Sequence, residues 1–200
     1  MGFVNRATLD AAVPDILAAP QSKAAIDILC FRPDYGQRTF PDQITVRRDV
    51  GIVGERWLKA PWMKLPDGSP DASIQISILA TRVYEAVVVD KHTMLHPGDT
   101  IISDLDCSEQ NMPAGTLLRV GTAVLQVSGV FNTACVKWKA RYGKPAYDWV
   151  NAAQNRLKTG SLASVTISSR FDQKPGLCVK NCGVISVCKT QISIILSMFD

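Results

Sequence analysis

Hydrophobic and polar residues alternate in several short stretches of the chain, a pattern typical of strands with one buried face. The stretch at 25–32 (AIDILCFR) shows it first, and 43–48 (QITVRR) repeats it. Turn-forming Pro, Gly and Asp residues separate these two stretches. The same reasoning predicts further strands at 73–79, 98–105, 116–120, 122–128 and 163–168, with the pair 116–120 and 122–128 joined at Gly121.

Helical spacing is confined to three segments. Thr8 is predicted to cap a helix that runs to Leu17, because the apolar residues between them fall on one face. A second helix is predicted over 81–89. The third covers 135–158 and is expected to break near Gly143-Lys144-Pro145, since glycine and proline disfavour a continuous helix.

The number and length of these elements decide the fold class. Many short strands with few helices favour a closed or nearly closed β-barrel over a parallel α/β sheet. We therefore expect a mainly β protein with a few short α-helices, and its 200 residues suit a single core. The predicted parts are an N-terminal helical segment at 1–22, a β-barrel domain at 23–165, and a cysteine-containing tail at 166–200, in which 184–198 is the candidate for a last barrel strand.

The chain has a formal charge of +4, and many of its basic residues lie close together. Between 137 and 158, Asp148 is the only acid, whereas the basic residues are Lys137, Lys139, Arg141, Lys144, Arg156 and Lys158. Such a cluster attracts an anion, which can be a phosphorylated small molecule or a nucleic acid. Nucleic acid is not expected, because aromatic residues at helical spacing are more often core and no RNA-binding signature is present.

Several other classes of site and location are disfavoured. No apolar run approaches the ~20 residues that a membrane-spanning helix needs, and the first residues show no secretory pattern. The six cysteines are therefore expected to be reduced thiols in a cytoplasmic protein. Cys178 and Cys182 have zinc-like spacing without a second such pair, and His92 and His96 lack the glutamate of a helical zinc motif, so neither pair is expected to bind a metal.

Six motifs follow one another in order along the chain. They are GIVGERW at 51–57, S-E-x-N-x-P-x-G-T at 108–116, L-R-V-G-x-A-V-L at 118–125, T-x-C-x-K at 133–137, R-Y-G at 141–143 and W-V-N at 149–151. In this order they resemble a stand-alone MOSC domain, a domain named after the C-terminal part of molybdenum cofactor sulfurases. The resemblance covers roughly residues 20–165, and the tail departs from the family pattern from about Lys158.

The resemblance implies a MOSC-type β-barrel that binds the molybdenum–molybdopterin cofactor. Cys135 stands where molybdenum-binding members of the family supply a thiolate to the metal, and soft sulfur suits such a centre. The surrounding sequence favours the same role, because Lys137, Lys139 and Arg141 follow closely and nearby cations favour a thiolate. The alternative is a buried structural cysteine. At the level of the family, the resemblance also implies pyridoxal phosphate binding.

Nine further residues are predicted to line the cofactor site. Arg141 and Arg156 are candidates for bidentate contacts with the phosphate of the pterin, and Lys137 for a point charge. Asn111 and Asn151 match asparagines of the family, with a turn or a helix end as the alternative role of each. The remaining candidates are Gly54 and Arg56 in the 51–57 stretch and Asn132 and Thr133 beside Cys135. Family members usually carry His at the position of Asn132 and Gly at that of Ala134. Asn132 cannot titrate near neutrality, which weakens the case for activity more than that for binding.

The reaction implied by the resemblance is the reduction of N-hydroxylated compounds, such as hydroxylaminopurines or amidoximes, by oxo transfer at the molybdenum. The chain shows no flavin, haem or iron–sulfur motif, so an external reductase is expected to supply two electrons. Two alternatives stay open. One is a non-catalytic carrier of cofactor or sulfur with a persulfide on Cys135, and the other is a degenerate, inactive barrel.

Overall fold

The computed structural model describes residues 2–92, 94–130, 132–152, 162–167, 177–180 and 183–188. Within these residues the chain forms three α-helices, ten strands and two short 3-10 helices, Arg56–Leu58 and Ala72–Ile74. The helices are α1 (Arg6–Leu17), α2 (Thr81–Val87) and α3 (Val136–Asn151). The strands are β1 (Lys23–Leu29), β2 (Gln43–Arg47), β3 (Gly51–Ile52), β4 (Ile76–Ala80), β5 (Ile101–Ser103), β6 (Leu117–Val120), β7 (Ala123–Val127), β8 (Leu162–Ile167), β9 (Leu177–Lys180) and β10 (Val184–Cys188).

Seven of the described strands close a barrel in the order β1-β10-β6-β7-β8-β4-β5. The pairs are antiparallel except β4 and β5, which run parallel. A second sheet has the order β3-β2-β9. The predicted mainly β barrel with a few short helices is therefore confirmed. Strand β10 comes from the tail, inside the range predicted to supply a last barrel strand, whereas 189–200 lie outside the described residues.

The alternation of apolar and polar residues explains the strands and the core. In β1 the even-numbered residues Ala24 and Ile26 are buried between exposed neighbours. The β6–β7 hairpin turns at Gly121 and Thr122, and Gly121 has a positive φ of 59° that suits a tight hairpin. Each large apolar side chain fully buried this way stabilises the fold by roughly 1.5–3 kcal/mol. Fully buried examples from the barrel strands are Leu29, Ile78, Ile101, Leu118, Leu125 and Ile185.

Helix α2 packs against strands β4 and β5 of the barrel. Helix α1 packs against α2 and α3, and the indole Nε1 of Trp149 donates to Asp10 Oδ1 at 3.0 Å. The N-cap of α1 is Asn5 rather than the predicted Thr8, because Asn5 Oδ1 accepts from the backbone N–H of Thr8 at 2.9 Å. The chain therefore enters the helix three residues earlier, because the amide side chain of Asn5 satisfies a free donor of the first turn.

Helix α3 is interrupted where the sequence predicts a break. Gly143 has φ 84° and ψ 167°, far from helical values, and Pro145 follows it. This conformation belongs to a region that residues with a Cβ avoid. A Cβ on Gly143 would also lie 2.6 Å from Cγ of Phe3, so the N-terminal segment packs directly against the break.

Most predicted strands agree with the observed ones to within one to three residues at each end, and two of the differences have a visible local cause. The stretch predicted at 73–79 begins as a 3-10 helix, because Asp71 Oδ1 accepts from the N–H and the hydroxyl of Ser73. The strand predicted at 98–105 is shorter, Ile101–Ser103, since Gly98 takes a positive φ of 102° before it. Among the described residues, no helix is both long enough and apolar enough to cross a membrane.

Replacing Gly143 with alanine is expected to lower the free energy of unfolding by roughly 3 kcal/mol, the sum of backbone strain and the clash with Phe3. Gly68→Ala is the matched control, because Gly68 also has a positive φ (85°) but nothing within 4 Å of its added Cβ. Denaturant titration measures both. Phe3→Ala in the Gly143→Ala background should restore part of the loss, and an unchanged value would show that the contact with Phe3 contributes nothing.

Candidate functional site

A cleft of about 470 Å³ lies against one side of the barrel. Its walls come from the loop after β1, the turn after β3, the start of β4, the loop before β5 and the segment that leads into α3. Backbone hydrogen bonds hold three of these segments together: the N–H of Arg56 donates to the carbonyl of Arg32 at 3.1 Å, and that of Cys30 to the carbonyl of Thr100 at 2.9 Å. The cleft is therefore built by parts of the chain that lie far apart in sequence.

Six of the ten residues predicted for the cofactor site line this one cleft. They are Arg56, Asn132, Thr133, Cys135, Lys137 and Arg141. Arg56 comes from the GIVGERW motif at 51–57, whereas the other five lie between 132 and 141, and folding brings these two stretches into the wall of one cleft. The guanidinium of Arg56 and the ammonium of Lys137 both lie over the ring of Tyr35, at 4.7 and 5.6 Å from its centroid.

Cys135 is the exposed thiol of this cleft. It directly precedes α3, and its carbonyl accepts from the N–H groups of Trp138 and Lys139 at 3.0 and 3.1 Å. Cys30 lies at the end of β1 and is buried. Burial raises the pKa of Cys30 to about 11, so that its thiol stays protonated at neutral pH. Of these two thiols, Cys135 is the one that a ligand in the cleft can reach.

Asn151 acts on the segment beside Cys135 rather than on the cleft itself. Its Oδ1 accepts from the N–H of Ala134 at 3.0 Å, and its Nδ2 donates to the carbonyl of Ala134 at 3.3 Å. These two bonds fix the peptide units on both sides of Ala134. Asn151 is therefore a positioning residue for the chain at Cys135.

The other three predicted residues lie elsewhere. Asn111 is buried in the loop after β5, where its Nδ2 donates to the carbonyls of Asp106 and Gln21 at 2.8 and 3.0 Å. Gly54 does not line the cleft: it supplies a positive φ of 83° to the turn after β3, and an added Cβ would lie 3.5 Å from the ring of Phe31. Arg156 lies outside the described residues.

Two arginines of the cleft are absent from the sequence predictions. Arg32 follows β1, and Arg38 lies in the turn-rich stretch between β1 and β2. Burial, and next the charge of Arg141, lower the pKa of Arg38. Both arginines lie about 100 residues before Cys135 in the sequence, so no local pattern connects them with it. Their place in the cleft depends on how the loop after β1 folds back.

The wall also contains two buried acids. Oε1 of Glu55 accepts from Nε of Arg32 at 2.6 Å, and the Glu55 side chain is fully buried. Burial raises the pKa of Asp99, while a hydrogen bond from Ser77 and the charge of Arg32 act in the opposite direction. A cleft that is cationic overall therefore holds two buried carboxyl groups within its wall, in addition to the exposed one of Asp34.

His96 lies next to the cleft and is buried. Its Nδ1 accepts from the N–H of Gly98 at 3.1 Å, and its ring makes an edge contact with Phe40. Burial, and then the charges of Arg38 and Arg141, lower the pKa of His96 to about 4. In the part of the chain that the structure describes, no group of three or more His, Cys, Asp or Glu side chains is placed to hold a metal ion.

Solved structures share this fold. The YuaD protein from Bacillus subtilis aligns with a TM-score of 0.56 and 14% identity over 82% of this chain and 95% of its own. A hypothetical protein aligns with a TM-score of 0.50 and 14% identity over 82% and 68%, and YiiM from Escherichia coli with 0.47 and 14% over 83% and 69%. No protein-family model and no curated protein sequence matches the chain. The first two likenesses show the fold.

The folded protein is expected to lose about 3 kcal/mol of stability through His96 as the pH falls from 6.5 to 4. The unfolded chain binds a proton at His96 near pH 6.5, whereas the folded chain does so only near pH 4. Protonation in this range therefore favours unfolding. Denaturant titrations across the range should show a shallower decline for His96→Asn, which keeps an acceptor for Gly98, and an unchanged decline for the exposed His92→Asn. Equal declines in all three proteins would contradict this assignment.

Proposed function

We propose that the cleft binds a molybdenum–molybdopterin cofactor and that Cys135 is its protein ligand. The observation that carries the proposal is the exposed thiol of Cys135 in the wall of a cationic cleft, beside Lys137 and Arg141. YuaD, whose fold this chain shares, is a MOSC-domain protein. The motifs that resemble that family are the ones that supply most of the predicted residues of the wall.

The chemistry of the donor set fits this cofactor. A thiolate is a soft ligand suited to molybdenum, and guanidinium groups suit a phosphate. The volume of the cleft, about 470 Å³, is in the range of small-molecule sites. The wall also contains buried polar atoms that no described residue partners, among them Nε of Arg38 and Nε1 of Trp57 and Trp138. Such atoms favour a ligand with many polar groups.

Each part of the wall would then have a distinct task. Cys135 would hold the metal, Arg38 and Arg141 would hold the phosphate, and Asn151 would keep the chain at Cys135 in place through Ala134. Arg141 is itself oriented, because its Nη1 donates to the carbonyl of Pro97 at 2.7 Å. When bound, the cofactor supplies two-electron oxygen-atom chemistry for the reduction of an N-hydroxylated compound, with electrons from an external reductase.

Reduction of an N–OH group to N–H also consumes protons. Asn132, at the position where the family usually has His, can donate or accept a hydrogen bond but does not titrate near neutrality. Asp99 lies in the same wall, and its raised pKa lets its carboxyl hold a proton over a wider range of pH. We therefore assign Asp99, rather than residue 132, the task of holding a proton for this reaction.

Protein purified from a cofactor-producing host is expected to contain close to one molybdenum per chain, with a fluorescent pterin after oxidation. Cys135→Ala should lose most of the metal, because the thiolate ligand is gone. Cys107→Ala is the matched control, since Cys107 is also a free thiol but is buried away from the cleft, and it should keep its molybdenum. Elemental analysis and pterin fluorescence measure these contents.

The same samples separate the alternatives. A protein that holds the cofactor but does not reduce N-hydroxylated compounds with a reductase present would be a carrier. Sulfur that cyanide releases from wild-type protein but not from Cys135→Ala would indicate a persulfide on Cys135. Absence of molybdenum and pterin from wild-type protein would contradict the proposal and leave the inactive barrel.

A further inference from the structure

Glu55 occupies an unusual place in the cleft wall. It lies in the turn between β3 and the 3-10 helix Arg56–Leu58, and its backbone N–H donates to the carbonyl of Ile52 at 3.0 Å. The turn requires Gly54, whose φ is 83°. The side chain is fully buried, so this carboxylate is held within the wall rather than in solvent.

The two oxygens of Glu55 have different surroundings. Oε1 accepts from Nε of Arg32 at 2.6 Å, whereas Oε2 is buried with no donor among the described residues. A buried carboxylate oxygen without a donor is costly. Because Glu55 belongs to the cleft wall, a ligand in the cleft is the group placed to supply that donor.

The charges around Glu55 define what the rest of such a ligand must be. Arg38, Arg56, Lys137 and Arg141 line the same cleft and favour an anion. Trp57, two residues after Glu55, also lines it and has a buried Nε1 without an acceptor among the described residues. The wall therefore fits a molecule with an anionic group and, separately, an edge that places N–H donors beside a carbonyl.

We infer that Oε2 of Glu55 accepts an N–H of the exocyclic amino group of a 2-amino-pyrimidin-4-one edge and so sets the orientation of the ring system in the cleft. This edge carries an exocyclic amino group, a ring N–H and a carbonyl, which complement Glu55 and Trp57. It occurs in pterins and in guanine. The inference rests on the proposed function, because a pterin is the source of this edge in the proposed cofactor.

Two small fluorescent probes test the hydrogen bond without the metal. Pterin-6-carboxylate and lumazine-6-carboxylate share the ring skeleton and the anionic group. At position 2 pterin has an amino donor where lumazine has an oxo acceptor, and N1 carries a hydrogen in lumazine only. Fluorescence titration at neutral pH is expected to show that the wild-type protein binds the pterin at least about tenfold more tightly, as for one hydrogen bond to a charged acceptor.

Glu55→Gln is expected to reverse this preference. The amide oxygen can still accept from Arg32, so the amide nitrogen takes the place of Oε2 and donates to the oxo group of lumazine. Asp34→Asn is the matched control. It removes the same charge from an exposed residue of the cleft and keeps the acceptor for the N–H of Tyr35, so the preference for pterin should remain.

Guanosine and inosine monophosphate, which differ only in the 2-amino group, identify the source of the edge. If the affinity ratio of guanosine to inosine monophosphate exceeds that of pterin to lumazine, the hydrogen bond to Glu55 is supported. In that case guanine, and not a pterin, is the source of the edge. Equal affinity of wild-type protein for both pteridines, or no binding of either at millimolar concentration, would overturn the inference whatever happens to the variants.

This result is independent of the molybdenum measurement. Protein that carries molybdenum on Cys135 but does not discriminate between the pteridines would refute the role of Glu55 and leave the proposed function intact. Discrimination that reverses in Glu55→Gln, in a protein that takes up no molybdenum, would support the role of Glu55 and refute the molybdenum function.

Discussion

Closure of the barrel depends on the insertion of one strand, β10, between β1 and β6, which lie far from it in the chain. Lys23–Ala25 pair with Val184–Ser186 on one side, and Leu117–Val120 pair with Ile185–Cys188 on the other. Without β10, two long strand edges would expose unpaired N–H and C=O groups. Closure also fixes β1 beside β5, so that the loop after β1 and the loop before β5 meet on one side of the barrel and form part of the cleft.

The cleft concentrates charge that the fold itself does not need. The charge of Arg32 is balanced by that of Glu55. Arg38 has no such partner charge among the described residues, and burial and then the charge of Arg141 lower its pKa. Like charges held together in a partly buried wall raise the free energy of the folded protein. Binding of an anion relieves that repulsion, so the arrangement favours an anionic ligand through the free energy of the protein as well as through direct contacts.

The features that sequence patterns predicted correctly are those that depend on residues close together in the chain. The hairpin at Gly121, the break in α3 at Gly143 and the mainly β barrel follow from alternation, glycine and proline. That Arg56 shares a site with the residues around Cys135 was predicted from the resemblance of the ordered motifs to one family. The place of Arg32 and Arg38 could not be predicted, because it depends on contacts between segments far apart in the chain. The same holds for the buried state of Glu55 and Asp99, which a polar residue in a loop does not reveal.

Some buried polar atoms of the wall have no partner among the described residues, and such atoms lower stability unless a bound ligand supplies the partner. A buried donor or acceptor without a partner costs on the order of 1–3 kcal/mol, and apolar side chains of similar shape would avoid that cost. The barrel core offsets it, since its strands bury many large apolar side chains. A polar ligand in the cleft would supply the partners that no described residue gives to Oε2 of Glu55, Nε of Arg38 and Nε1 of Trp57. A ligand that satisfied all three groups would carry both donors and acceptors along its edges, and the cations of the same cleft favour one that is also anionic.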